Sequence, residues 1–265
     1  MSLMDRLLKV DKIGIGQDKV SDSELFKDLI SVATEVPILN IALAGDIDKG
    51  VSSGFTTIAA PSKHFKSLLA LIMVKSYLNK HKDSICVFYD SEFGITLDYM
   101  NSVGVDTSRV IHAPVEDIEQ LKFDFVAKLN EIKRGDKIIF LVDSIGNLPS
   151  KKEADDADAA NSVNDMTRAK ALNSFWRLTT TSMAIKDIPG IIINRSYDTQ
   201  EFIPKKVLAG GQGSMFSPNV VLFVTKAQEK KGKDFVGFTY TLVIEKSRYV
   251  VEKTKLPLVV TYEDG

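Results

Sequence analysis

The run Phe55-Thr56-Thr57-Ile58-Ala59-Ala60-Pro61-Ser62-Lys63-His64-Phe65-Lys66-Ser67 decides how this chain of 265 residues is read. A short strand, 55–59, passes into a tight loop and then a Lys-Ser pair at the start of an amphipathic helix over 67–79. Strand, loop and Lys-Ser helix start are the parts of a phosphate-binding loop. In such a loop, backbone N–H groups and the helix N-terminus surround phosphates, the lysine carries positive charge and the hydroxyl binds Mg²⁺. The glycine-rich form of the motif, G-x-x-x-x-G-K-[ST], has glycine where this chain has Ala60 and Phe65. Glycine there gives backbone freedom and close approach to phosphate. A Lys-Ser pair alone is therefore open to a purely structural reading.

Two neighbouring stretches strengthen the reading. Ile138–Val142 in Lys137-Ile138-Ile139-Phe140-Leu141-Val142-Asp143-Ser144 is apolar at every position, as a strand buried on both faces of a parallel sheet must be. It ends on a carboxylate, Asp143, placed to hold a Mg²⁺ shell or to cap the next turn. The apolar run 85–89 leads into Asp90-Ser91-Glu92, and a carboxylate just beyond a strand end can orient a water molecule. Further short apolar runs at 110–112 and 190–193, with a helix-period segment at 115–133, give repeated strand–helix alternation. That alternation predicts a doubly wound α/β fold.

The flanks differ. Residues 24–33 read as a short helix and 36–44 as extended, since Pro37 keeps Val36 out of the helical region. Residues 219–226, 235–248 and 256–262 read as strands with short Lys/Gly turns, antiparallel additions to the sheet. The expected division is a helical segment over 1–35 and a core over 36–265. Met1-Ser2-Leu3 reads as an added leader before Met4. The ending Tyr262-Glu263-Asp264-Gly265 carries no terminal helix, so a C-terminal domain is expected to be missing.

Composition sets limits. A formal charge of −1 and pI near 6.3 give no bulk basic character, so any nucleic-acid contact must use locally gathered cations. The single cysteine, Cys86, excludes an intramolecular disulfide and fits a reducing cytoplasm; in its apolar run it reads as a buried structural thiol. No apolar stretch reaches membrane-spanning length. His64, His81 and His112 lack metal-ligand spacing.

The segments Ser62-Lys63-His64-Phe65-Lys66-Ser67, Phe88-Tyr89-Asp90-Ser91-Glu92-Phe93-Gly94-Ile95-Thr96, Asp143-Ser144-Ile145-Gly146-Asn147-Leu148, Asp165-Met166-Thr167-Arg168-Ala169-Lys170 and Glu245-Lys246-Ser247-Arg248 carry a family resemblance. Together they resemble the RecA-type recombinase core, most closely the recombinases of T-even bacteriophages, from about residue 38 to the end. The resemblance includes the glycine-poor loop with Phe before Lys, although Ala60 stands where even the phage proteins have glycine. It implies a RecA-like P-loop core: a mostly parallel central sheet flanked by helices, with antiparallel strands added near the C-terminus. It makes 1–35 an oligomerising segment and 36–265 an ATPase core.

The resemblance also implies ATP and Mg²⁺ as cofactors. It assigns the loop Ala60, Pro61, Ser62, Lys63, His64, Phe65, Lys66 and Ser67 to nucleotide binding, with Lys66 on the phosphates. Ser67 and Asp143 fall to Mg²⁺, Glu92 to activation of water and Tyr99 to stacking on adenine. Lys246 and Arg248, two apart in a presumed strand and so on one face, would reach the nucleotide of a neighbouring subunit. Arg195 occupies the place of a γ-phosphate sensor that is glutamine in bacterial members and histidine in phage members.

Two long non-periodic stretches, 149–161 and 195–218, are functional or mobile surface loops by length alone, and the resemblance implies that both are DNA-binding loops. The first offers Lys151 and Lys152 but is otherwise acidic, with Glu153, Asp155, Asp156 and Asp158. The second has Phe202, Lys205, Lys206 and the run Gly210-Gly211-Gln212-Gly213: an aromatic, cations and flexible backbone suited to single-stranded DNA. The expected function is ATP-dependent recombination, with single-stranded and homologous duplex DNA, helical self-association, and single-stranded-DNA-binding and mediator proteins as partners, in the cytoplasm of an infected bacterium. A hexameric helicase-type motor and a non-hydrolysing nucleotide-gated accessory protein remain open alternatives.

Overall fold

The computed structural model describes residues 1–27, 29–158, 167–200 and 206–263. The chain opens with α1 (Leu3–Leu8), whose first turn is closed by a reciprocal Ser2–Asp5 capping box. A single 3-10 turn at Glu24–Phe26 precedes β1 (Ser31–Val32), α2 (Pro37–Ala44) and β2 (Val51–Ser52), with β1 and β2 paired antiparallel. The alternating core follows. It comprises β3 (Gly54–Ala59), α3 (Lys66–Lys80), β4 (Ile85–Asp90), α4 (Leu97–Val103), β5 (Val110–Pro114), α5 (Ile118–Glu131) and β6 (Ile138–Asp143). It continues through α6 (Lys151–Asp158), α7 (Thr167–Lys186) and β7 (Pro189–Asn194). The short antiparallel pair β8 (Ser196–Asp198) and β9 (Lys206–Leu208) and then α8 (Gln212–Phe216) lead to β10 (Val220–Lys231), β11 (Asp234–Lys246) and β12 (Lys255–Thr261).

The main sheet has the order β12-β11-β10-β3-β7-β6-β4-β5. Every pairing from β10 to β5 is parallel, and β10–β11 and β11–β12 are antiparallel. This is the mixed α/β architecture expected, with antiparallel strands added at the C-terminal side. β3, β6 and β7 are buried at every residue, which is why they read as strands from sequence. One face of the sheet packs on α2 and α3 through Leu39, Leu43, Met73 and Tyr77. The other packs on α5 and α7 through an aromatic cluster in which Phe55, Phe125, Phe140, Phe175 and Trp176 meet edge-on or tilted. Among the described residues no helix is long and apolar enough to cross a membrane.

Several expectations are corrected. Residues 36–44 are not extended. Val36 is, at φ −109°, but as the N-cap of α2, with Pro37 in the first turn where its missing N–H costs nothing. The helix 24–33 shrinks to the 3-10 turn followed by β1. The expected loop over 149–161 contains the helix α6, started by a capping box: Ser150 Oγ accepts from Glu153 N–H and Glu153 accepts from Ser150 N–H. Within 195–218 the chain forms β8, β9 and α8. Phe202 and Lys205 lie outside the described residues.

Candidate functional site

The parallel arrangement brings the C-terminal ends of β3, β4, β6 and β7 to one edge of the sheet, where ligands of open α/β sheets bind. The β3–α3 connection is the loop singled out from sequence. Phe65 is the N-cap of α3, and no side chain caps the helix, so its first N–H groups are left for another acceptor. Phe65 and Lys63 stand in the left-handed region, at φ 58° and 61°. Ala60 does not, and its N–H donates to Asn194 O at 3.4 Å. The missing glycine thus bears on conformation at position 65 and not at position 60.

Lys66 donates to Pro61 O at 2.8 Å, folded back over the loop. Burial holds its ammonium below the ordinary lysine value, Asp143 and Glu92 pull the other way, and Arg195 adds to the lowering. Ser67 Oγ donates to Asp143 Oδ2 at 2.8 Å. Burial lifts Asp143 to about 6; the Ser67 hydrogen bond and Lys66 oppose that rise, while Glu92 and Asp90 add to it.

Glu92 lies on the turn after β4. Asp90 builds that turn, its Oδ1 accepting from the N–H groups of Glu92 at 3.2 Å and Phe93 at 2.7 Å, while Oδ2 meets His112 Nε2 at 3.1 Å. The Glu92 carboxylate accepts through Oε1 from Ser144 Oγ and Asn147 Nδ2, both at 2.5 Å, and pairs with Arg195 at 3.6 Å. Tyr99, on α4 and half-buried, closes the other side. Ser62, Lys63, His64, Phe65, Lys66, Ser67, Glu92, Tyr99 and Asp143 line a single open cleft of about 240 Å³. Burial, and then Asp143, raise the Tyr99 phenol above its ordinary value. Asp90, Ser144 and Asn147 carried no assignment from sequence, although all three fall in the quoted segments.

The other assigned residues are placed differently. Lys246 ends β11, and Arg248 lies beyond the strand in an exposed bend, so the two do not share a strand face. The Lys246 ammonium donates to its own chain, to Phe216 O at 2.5 Å and Pro218 O at 2.6 Å. Burial lowers its pKa, with Arg248 adding and Glu252 opposing. On α6, Lys151 is exposed and Lys152 pairs with Asp156 one turn on, at 3.8 Å. Lys206 pairs with Asp198 across β8–β9 at 3.1 Å.

Gly210 and Gly211 have φ of 91° and 76°, and Gly211 caps α8. A Cβ on Gly213 would sit 2.3 Å from Asn173 Oδ1, which shows how closely α8 lies on α7. Beside them an open groove of about 450 Å³ is lined by Lys170, Asn173, Trp176 and Arg177 of α7 with Gly213 and Ser217. Lys170, Asn173 and Arg177 are exposed at i, i+3 and i+7, one helix face. Sequence reasoning gave them no role, and that spacing was the signal available. Arg168 ties α7 to the site, donating to Leu148 O at 2.6 Å and Gly146 O at 2.8 Å.

Fold and site define an α/β protein built on a mostly parallel sheet, with a Lys-Ser helix start and two strand-end carboxylates converging at one edge. Over 263 residues the chain is 45% identical to the Recombination and repair protein of Enterobacteria phage T4, spanning 99% of this chain and 67% of that protein. The chain belongs to the family of that phage recombination and repair protein. No protein-family model matches the sequence.

Proposed function

We propose that the chain is an ATP-dependent DNA recombinase of the RecA type, of the kind known as UvsX in T-even phages. In this reading it polymerises on single-stranded DNA and promotes homologous pairing with duplex DNA and strand exchange, in recombination, repair and replication within the infected cell. The observation that carries the reading is the convergence of Lys66, Ser67, Asp143, Glu92 and Tyr99 on one cleft. The donors fit the cofactors: an uncapped helix start and a lysine suit phosphates, and the Ser67 and Asp143 oxygens are hard ligands of the type Mg²⁺ takes.

When bound, Mg²⁺ with ATP would supply a polarised terminal phosphate. Lys66 would leave Pro61 O for the phosphate oxygens, and Tyr99 would stack on the base. Glu92 is aimed by Ser144 and Asn147, whose contacts fall on Oε1, so Oε2 is the oxygen that would accept a proton from water. Arg195, paired with Glu92 here, would turn to the outermost phosphate and carry the change into β8, which it directly precedes.

The α7–α8 groove supports the DNA part. Lys170 and Arg177 would meet backbone phosphates, and Gly211, where an added Cβ would meet open space, allows close approach of the main chain. Self-association is supported by exposed apolar side chains near the N-terminus, among them Leu7, Ile13, Val20 and Phe26. Arg248 is exposed and free to serve a neighbouring subunit's nucleotide, whereas Lys246 would first have to leave its own carbonyls.

The test is ATP turnover with and without single-stranded DNA. Stimulation by DNA, abolished in Lys66→Ala, is the expected result. Absence of turnover in both conditions rejects the enzyme and favours a nucleotide-gated accessory protein. Closed rings in place of helical filaments by electron microscopy would favour a helicase-type motor.

A further inference from the structure

The loop between β3 and α3 holds two left-handed residues that are not glycine, Lys63 and Phe65. An L side chain in that region disfavours the conformation by roughly tenfold (~1.4 kcal/mol) at each position. Something must offset this, and both residues are tied to the same place. The Phe65 ring lies on that of Tyr240, centroids 4.1 Å apart and planes inclined by 16°. The Lys63 carbonyl accepts from Lys226 Nζ at 3.4 Å. That ammonium also stands 3.6 Å over the Phe238 ring and 5.6 Å from the Tyr240 ring. Lys226 and Tyr240 are direct partners across the β10–β11 ladder.

We infer that the Lys226–Tyr240 cross-strand pair is a brace that positions the phosphate loop, replacing glycine's conformational freedom with contacts. Tyr240 is buried and does not line the cleft, and neither does Lys226. They are positioning residues, acting through Phe65 and Lys63. Stacking holds the first residue before the helix in its left-handed state, and the charged donor fixes the carbonyl two residues earlier. The loop's shape is then set by a hairpin from the far end of the chain rather than by its own sequence. Whatever fills the cleft must, by reciprocity, also stiffen that hairpin.

The binding readout rests on the nucleotide reading; a second readout does not. Phe65→Ala keeps a Cβ at the left-handed position and removes the ring, whereas Phe65→Gly removes both. With mant-ATP and Mg²⁺ as the probe, Phe65→Ala is expected to bind about tenfold more weakly than Phe65→Gly. Tyr240→Leu keeps an apolar side chain in the sheet and is expected to weaken binding about fivefold in the parent, but less than about twofold in Phe65→Gly. Lys226→Met should behave likewise against a Lys63→Gly background. Amide hydrogen exchange over residues 62–66 of the free protein should be faster in Phe65→Ala and Tyr240→Leu than in the parent.

Equal exchange in these variants and the parent, or a Tyr240→Leu loss undiminished by Phe65→Gly, overturns the brace. Exchange that responds as expected while parent and variants all fail to bind the probe supports the brace and rejects the nucleotide reading.

Discussion

Asp143 is the residue on which charge, burial and function pull hardest against one another. Asp143→Asn keeps its shape and an acceptor for Ser67 Oγ but removes its ionisation. In the folded chain burial lifts Asp143 from an ordinary 3.8 to about 6. At 1.36 kcal/mol per pH unit, that gap makes the ionised carboxylate cost the fold about 3 kcal/mol at pH 8. A group whose folded pKa is raised contributes stability that is fully present below its unfolded value, near pH 4, and is lost as pH rises through about 6. The Asn variant should therefore be about 3 kcal/mol more stable than the parent at pH 8, and equal to it near pH 4. Urea unfolding read by Trp176, the single and buried tryptophan, measures both across that range. If the nucleotide reading holds, the stabilised variant loses Mg²⁺-dependent ATP binding, the trade expected where a costly charge is kept for function. A variant less stable than the parent at pH 8, or a difference that stays flat from pH 4 to pH 8, would falsify the reasoning: the Ser67 hydrogen bond, not burial, would then dominate.

Other outcomes follow from single contacts. Gly237→Ala would put a Cβ 2.2 Å from Val260 O and 2.7 Å from Thr261 Cα, both backbone, so β12 must shift; a loss of about 1–3 kcal/mol in the same unfolding assay is expected. Cys86 is buried, and burial pushes its thiol far up, so its labelling by a thiol reagent should track global unfolding and be negligible in the native protein. If the α7–α8 groove takes single-stranded DNA as proposed, replacing Lys170 and Arg177 by Ala should weaken that binding and flatten its salt dependence by roughly 0.7 per lost phosphate contact in a log–log titration. If the nucleotide reading holds, Asn147→Ala should lower ATP turnover about tenfold with little change in Tm, since it frees Glu92 without opening the core.

The sheet was legible because its central strands are buried on both faces. An unbroken apolar run such as Ile138–Val142 has one plausible home in an α/β chain, and the carboxylates at the ends of such runs followed from it. α2 was not legible for the same physical reason. Its sequence is apolar nearly all round, so it shows no 3.6-residue period, and Pro37 suggested an interruption where it is a beginning. α6 could have been found: Ser150 and Glu153 are spaced as a capping box, but the acidic run after them drew the reading toward a loop. The break between Lys246 and Arg248 could not, because it is set by a turn closed between Ile244 and Lys253. The compensation at Phe65 lay further out of reach, since its partner Tyr240 is joined to it only by the sheet.

The place of β3 in that sheet has a consequence for synthesis. Its two neighbours are β7 and β10, so the strand that leads into the loop before α3 pairs with residues 189–194 and 220–223 and with nothing earlier in the chain. On a ribosome releasing roughly 5–20 residues per second, residues 54–59 must wait for well over a hundred further residues before they can be seated. The segment written earliest in the core is thus completed among the last, at the high loop-closure cost that slows such non-local pairings. The β3–α3 loop can reach its final geometry only after β7 and β10 have emerged, and a premature stop before residue 189 would leave β4, β5 and β6 side by side with β3 unpaired.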